Sequence, residues 1–282
     1  MPLLTLRDAD GYRAFDEAEC RAAGRDLADR YRRADPFPHV VIDDFVDAEL
    51  LRDVVRHFPV PDAALTFARS QERLKYQFHP QACRGLTTRN LFAELNSQAF
   101  MGFLAEMTGM SGLVADAYYA GAGLHETRAG GHLGIHADFN RHETMNLERR
   151  LNLLIYLNED WEDDYGGALE LWDRAMTACA VRVIPKMGRA VVFTTDLYSF
   201  HGHPDPLTCP PDRARRSIAT YYYRTPADTV FTVDRTTNFR SRPHSTDKRD
   251  WKVMLHHFAQ DWVPPALQRG RRGGRLGALL RR

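Results

Sequence analysis

The sequence predicts a mainly β protein with flanking helices, built as a sandwich or barrel. Three observations lead there. Short runs rich in β-branched and aromatic residues recur at 114–120, 151–157, 168–172, 180–184, 189–194 and 217–223. Turn signals such as Gly166-Gly167 and Pro185 to Gly188 separate them. Before residue 114, apolar residues repeat at helical spacing instead. Many short strands so spaced suit two packed sheets or a closed one, with the early helices on one face.

Taken in order, residues 11–34 read as a charged helix that stops before Asp35-Pro36-Phe37-Pro38. His39 to Ile42 is a short β-type run. Asp47 is suited to cap a helix carrying Leu50, Leu51, Val54, Val55 and Phe58 on one side, closed by Pro59 and Pro61. Residues 90–108 read as one amphipathic helix with Leu91, Leu95, Phe100, Phe103, Leu104 and Met107, ended by Gly109. Residues 225–262 read as polar, irregular chain, and the stretch from Pro264 to Arg282 carries six arginines and four glycines. The expectation is a single domain over 1–262: a helical N-terminal region over 1–112, a strand-rich core of about 113–225 and an irregular extension 226–262. A basic, flexible tail follows over 263–282.

Composition narrows the class. The 282 residues are 44% apolar, enough for one sizeable core. A net charge of +1 gives no electrostatic reason to expect nucleic acid or an acidic membrane as partner. No apolar run approaches the roughly 20 residues of a membrane helix. The start, MPLLTLRDADGYRAF, lacks the pattern of a secretory signal. Cys20, Cys83, Cys179 and Cys209 lie far apart without a C-x-x-C pair, so a disulfide framework or structural zinc site is not expected and a reducing cytoplasm is.

Candidate chemistry starts at Leu133-Gly134-Ile135-His136-Ala137-Asp138, which reads as a strand end. Residues i and i+2 of a strand share a side, so His136 and Asp138 present an imidazole and a carboxylate to one point. A third ligand is available in Ser199-Phe200-His201-Gly202-His203. Two histidines and one carboxylate on one face of a metal form the facial triad of non-haem Fe(II) oxygenases, with the remaining positions open for cosubstrate and O2. Zinc accepts the same ligand types, so zinc stays open on the triad alone. His203 competes with His201.

Farther on stands Arg213-Ala214-Arg215-Arg216-Ser217-Ile218-Ala219-Thr220-Tyr221. Strand alternation puts Arg215, Ser217, Ala219 and Tyr221 on one face, and Arg216, Ile218 and Thr220 on the other. A dicarboxylate that chelates a metal at one end needs a fixed cation at the other, and the planar fork of arginine grips a carboxylate through two hydrogen bonds. Arg215 with Ser217 supplies that fork and a hydroxyl; Arg216 is its rival.

From about Leu113 to Tyr223 these elements, in order, resemble the prolyl-4-hydroxylase-like branch of the 2-oxoglutarate/Fe(II) oxygenases. His136-Ala137-Asp138 matches the H-x-D. Leu153-Leu154-Ile155-Tyr156-Leu157-Asn158 with Asp160-Trp161 matches the following strand and turn. Gly166-Gly167-Ala168-Leu169, the strand Ala190-Val191-Val192-Phe193, His201 and Arg215-x-Ser217 complete the set. The resemblance implies a double-stranded β-helix, or jelly-roll, core. It implies Fe(II) on His136, Asp138 and His201, 2-oxoglutarate held by Arg215, Tyr156 and Ser217, and O2 as the second cosubstrate. It favours His201 over His203. Because Asp138 keeps the carboxylate that halogenating relatives replace, it implies hydroxylation of a small-molecule or peptidyl substrate with release of succinate and CO2. Where the family often has a tyrosine before the first ligand, Glu126 stands here. Glu126, Arg128, Asn140 and Asn152 are candidate substrate contacts, and Trp172 is either pocket wall or core. The competing expectations are a jelly-roll metalloprotein of another reaction class and a non-catalytic sensor or binding module.

Overall fold

The computed structural model of the chain describes residues 1–60, 62, 64–226, 234–248 and 251–262. The tail expected over 263–282 lies outside them. The chain opens with a hairpin, β1 (Leu6–Ala9) and β2 (Tyr12–Phe15), and only then enters α1 (Glu17–Arg32). The helix expected from residue 11 therefore starts later. Asp16 sets its start, accepting a hydrogen bond from Glu19 N at 2.8 Å as its N-cap. β3 (His39–Ile42) and α2 (Ala48–Arg56) follow, the latter capped by Asp47.

A second hairpin, β4 (Leu65–Arg69) and β5 (Glu72–Phe78), has no counterpart among the elements expected from sequence. The single helix expected over 90–108 is two, α3 (Leu86–Leu95) and α4 (Gln98–Thr108). Ser97 divides them, its hydroxyl accepting from Phe100 N at 3.3 Å. Gly109 ends α4 in the left-handed region at φ 75°.

The strands are β6 (Val114–Ala115), β7 (Gly123–Ala137), β8 (Glu148–Tyr156), β9 (Leu169–Trp172), β10 (Cys179–Val183), β11 (Ala190–Thr194), β12 (His201–His203), β13 (Ala214–Arg224) and β14 (Asn238–Phe239). The extension expected to be irregular ends in α5 (Trp251–Trp262). The main sheet runs in the order β10-β9-β12-β7-β13-β8-β11-β3, with β5 and β14 also on β7, all antiparallel. It curls on itself as a jelly roll of the double-stranded β-helix type, because the long β7 pairs β13 along its first half and β12 along its second.

Strand alternation sorts the core. Leu151, Leu153 and Ile155 of β8, Val192 of β11, and Ile218 and Tyr222 of β13 face the helices. There they meet Leu51 and Val54 of α2 and Phe100, Phe103 and Leu104 of α4. Tyr156, Val191 and Phe193 face the other way, onto Leu169 and Leu171 of β9 and Val183 of β10. The site lies on this second side.

α1 packs along α4 with very little clearance: a Cβ on Gly24 would stand 2.4 Å from the Phe103 carbonyl oxygen. Gly24→Ala raises helix propensity by about 1 kcal/mol. The clash is with backbone, which cannot turn away, and overpacking of this kind costs about 1–3 kcal/mol. The second effect wins, and the urea midpoint of Gly24→Ala falls below that of the parent chain.

Candidate active site

β12 passes so close to β7 that a Cβ on Gly202 would lie 2.7 Å from the Gly134 carbonyl oxygen. The pairing puts His201 directly opposite His136. Opposed residues of an antiparallel pair point to the same side, and the two rings lie 4.5 Å apart, centroid to centroid. Asp138 follows the end of β7. One ligand atom from each of His136, Asp138 and His201 falls within 4.8 Å of the others. Asp138 Oδ1 lies 3.6 Å from His136 Nε2, and Oδ2 lies 3.5 Å from His201 Nε2.

Both imidazoles are oriented by backbone. His136 Nδ1–H donates to Gly134 O, and His201 Nδ1–H donates to Ser199 O, each at 2.9 Å. A carbonyl only accepts, so the proton sits on Nδ1 and each Nε2 turns a lone pair to the common point. Burial pushes the His201 imidazole down to about 4, which keeps that lone pair available at neutral pH. Burial also works to raise the Asp138 carboxyl, but the Arg149 guanidinium beside it outweighs this and holds the group well below the usual carboxylate range. Two imidazoles turning Nε2 to one point beside an ionised carboxylate fit a divalent cation.

Asn152 and an unforeseen residue, Arg149, hold the carboxylate. Asp138 Oδ2 accepts from Asn152 Nδ2 at 2.8 Å and pairs with Arg149 Nη2 at 3.0 Å. Arg149 Nε donates to Asn152 Oδ1 at 2.8 Å, closing a three-residue ring of contacts. The guanidinium lies 3.4 Å from the Tyr221 ring centroid and 4.7 Å from that of Phe139. Strand parity counted back from Tyr156 and Asn152 points Arg150 inward. A bulge in β8 opposite Tyr222 and Tyr223 turns Arg149 inward instead.

At the other end of the cavity face, Arg215 is 6% exposed. Its Nε donates to Gly167 O at 2.7 Å and its Nη2 to the Tyr156 hydroxyl at 3.3 Å. Among the described residues no carboxylate pairs with it. Burial accordingly pulls this guanidinium below its ordinary value. A buried, acid-free guanidinium is costly unless an anion arrives. Ser217 lies between Tyr156 on β8 and His125 on β7. Arg216 faces the helices, donating to Glu126 Oε2 at 2.9 Å and stacking 4.5 Å from the Phe58 ring centroid.

Two substrate candidates change place. Glu126 bonds Arg216 and Arg128, each at 2.9 Å, so Glu126 and Arg128 belong to the outer face and not the cavity. The cause is an irregularity in β7. Arg128 to Gly131 oppose Leu74 alone, which flips the alternation, and Gly130 takes φ 76° to allow it. Asn140 spends its side-chain oxygen on Arg235 N at 2.7 Å, tying the extension to the loop after β7. Asn152 grips Asp138 rather than a substrate. Trp172 donates to Glu170 Oε2 at 2.9 Å and packs with Phe200 as core. His203 pairs with Leu133 and stands outside the three-residue group.

The curled sheet and its His-Asp-His group define a double-stranded β-helix protein with a divalent-metal site. Residues 122–224 match the family model of the 2OG-Fe(II) oxygenase superfamily. The chain is similar to a prolyl hydroxylase of Trichoplax adhaerens, solved with a hypoxia inducible factor oxygen degradation domain peptide fragment. That likeness has a TM-score of 0.51 at 15% identity over 73% of this chain and 91% of that one, and it bears on the fold. A Pseudomonas putida prolyl-4-hydroxylase aligns with TM-score 0.49 at 18% identity over 72% of this chain and 99% of that one. HygX of Streptomyces hygroscopicus, solved with nickel and 2-oxoglutarate, aligns with TM-score 0.47 at 11% identity over 74% and 88%. No curated protein matches the chain significantly.

If Asn152 orients the carboxylate, Asn152→Ala weakens Co(II) binding by roughly 10–100-fold, the usual cost of losing a group that positions a metal ligand. Isothermal titration against the parent chain reads this directly, and unchanged affinity denies Asn152 the role.

Proposed function

We propose that the chain is an Fe(II)- and 2-oxoglutarate-dependent dioxygenase that hydroxylates an unactivated C–H of a polar small molecule, an amino acid or a peptidyl residue. Residues 1–262 act as one oxygenase domain in this reading, supported by the core that joins the N-terminal helices to the sheet. The observation that carries it is the pairing of a His-Asp-His group with a buried guanidinium, on the same face of the sheet, that has no acid partner among the described residues. A metal site alone would serve several chemistries; the distant arginine calls for an anionic cosubstrate.

His136, Asp138 and His201 would hold Fe(II). When bound, iron supplies the redox chemistry that couples O2 to the decarboxylation of 2-oxoglutarate into succinate and CO2 and to hydroxylation of the substrate. The side chains provide geometry. Arg215 and the Tyr156 hydroxyl receive the far carboxylate, with Ser217 beside them. The Arg149–Asn152 clamp keeps Asp138 ionised and aimed. Phe193, 4.7 Å from the His201 ring, and Phe239, 5.4 Å from the His136 ring, shield the imidazoles with apolar surface. Four free cysteines support the cytoplasm as location. Among the described residues no helix is long and apolar enough to cross a membrane.

Anaerobic addition of Fe(II) and 2-oxoglutarate is expected to give the weak visible charge-transfer band of the chelate; a folded, iron-loaded sample without it refutes the proposal. Arg215→Met is expected to raise the 2-oxoglutarate concentration at half-maximal band by about 100-fold or more, since two charge-assisted hydrogen bonds go. Arg216→Met leaves that midpoint within about twofold, because its guanidinium lies across the sheet; the reverse ranking exchanges their roles.

A further inference from the structure

The bulge that turns Glu126 outward turns His125 inward. His125 stands opposite Ser217 on β13, which stands opposite Tyr156 on β8, so the three form one row across the cavity face. Its position along that face is fixed at one atom: the Gly121 carbonyl accepts from His125 Nε2 at 3.1 Å and from the Tyr221 hydroxyl at 2.9 Å. Tyr221 in turn carries the Arg149 guanidinium that grips Asp138. His125 therefore sits between the Arg215 end and the metal end, and no role in the proposed reaction has yet used it.

Chemistry sets what it can do. Because Nε2 faces a carbonyl, Nε2 holds the proton and Nδ1 holds a lone pair. No described residue donates to Nδ1. Nor is Nδ1 among the sealed, partnerless polar atoms, and the side chain is only half-buried, so that nitrogen opens onto accessible space. 2-Oxoglutarate has two carboxylates and a ketone, all acceptors, and cannot supply a donor.

We infer that His125 accepts a hydrogen bond from the primary substrate, and that the substrate places an uncharged donor there, a hydroxyl or an amide N–H. The inference rests on the 2-oxoglutarate oxygenase reading and adds a substrate class to it. An ammonium group is disfavoured at this point. The nearby charges are Lys75, Arg215 and Arg149, of which Lys75 pairs with Glu72 at 2.7 Å and Arg149 with Asp138. Burial and these cations push the imidazole down to about 3, so it stays neutral and keeps its lone pair through the physiological range.

Two substitutions separate the ring nitrogens. His125→Gln keeps an N–H able to reach Gly121 O and removes the acceptor at the Nδ1 position. His125→Asn keeps an acceptor near Nδ1 and gives up the Gly121 contact. The assay is 2-oxoglutarate consumption by the full chain loaded with Fe(II), over a fixed panel of polyols, aminoglycosides, N-acetyl amino acid amides and simple alkylammonium salts. Compounds with hydroxyl or amide donors are expected to stimulate turnover. The concentration for half-maximal stimulation rises roughly 10–100-fold in His125→Gln, the cost of an unmet hydrogen bond in a site built for it, and by under threefold in His125→Asn. The charge-transfer midpoint for 2-oxoglutarate stays within twofold in both. Stimulation that survives in His125→Gln, stimulation confined to alkylammonium salts, or no stimulation by any hydroxyl or amide compound overturns the inference. A shifted 2-oxoglutarate midpoint also overturns it, by assigning His125 to the cosubstrate. Absence of the band in the parent chain instead defeats the oxygenase reading itself.

Discussion

The site depends on the pairing of β12 with β7, which sets His201 opposite His136. The two histidines are 65 positions apart in a chain whose sheet could curl in several ways. Only the antiparallel register at Gly202, where no Cβ intervenes, brings both rings to one side with Asp138 beyond them. A register slip of one residue would turn either imidazole to the opposite face. The backbone carbonyls of Gly134 and Ser199 then fix the tautomers, so the two strands settle both where the nitrogens lie and which of them carries a lone pair.

Charge is placed as deliberately as geometry. Arg149 and Arg215 both sit on the inner face, and they differ in what neutralises them. Arg149 has its carboxylate, Asp138, and aromatic faces on Tyr221 and Phe139. Arg215 has a carbonyl, a hydroxyl and no acid among the described residues. The first is a completed ion pair that orients a ligand. The second is a cation with its counter-charge left to an incoming molecule. Arg216, one residue away, is a third exposed and has both Glu126 and a phenyl ring, so burial and pairing together set it apart from Arg215.

Much is legible in the residues themselves, and the misses share a cause. The helix caps Asp47 and Gly109, the strand runs at 151–157 and 189–194, and the parity of Arg215 against Arg216 all follow rules of a few neighbouring residues. Alternation misplaces Glu126 and Arg128, and passes over His125 and Arg149, where an irregularity flips the two-residue period. In β7 the flip lies at Arg128 to Gly131, in β8 at Arg150. Gly130-Gly131 is a visible signal of the first; nothing local marks the second. Ser97 likewise breaks one expected helix into two because a cap outcompetes a continuous apolar stripe.

The sequence by itself determined the kinds of group available: the H-x-D, a later histidine, the arginine two residues before a serine, and strand-forming runs able to carry them. Those are properties of residue type and short spacing, set by local sterics and side-chain chemistry. Tertiary structure decided which groups meet. Whether Asn152 touches substrate or steadies Asp138, whether Arg149 matters at all, and which of two adjacent arginines lacks an acid depend on strand register and bulges. Those are settled by pairing across residues far apart in the chain, where a one-residue surplus reverses every side chain that follows.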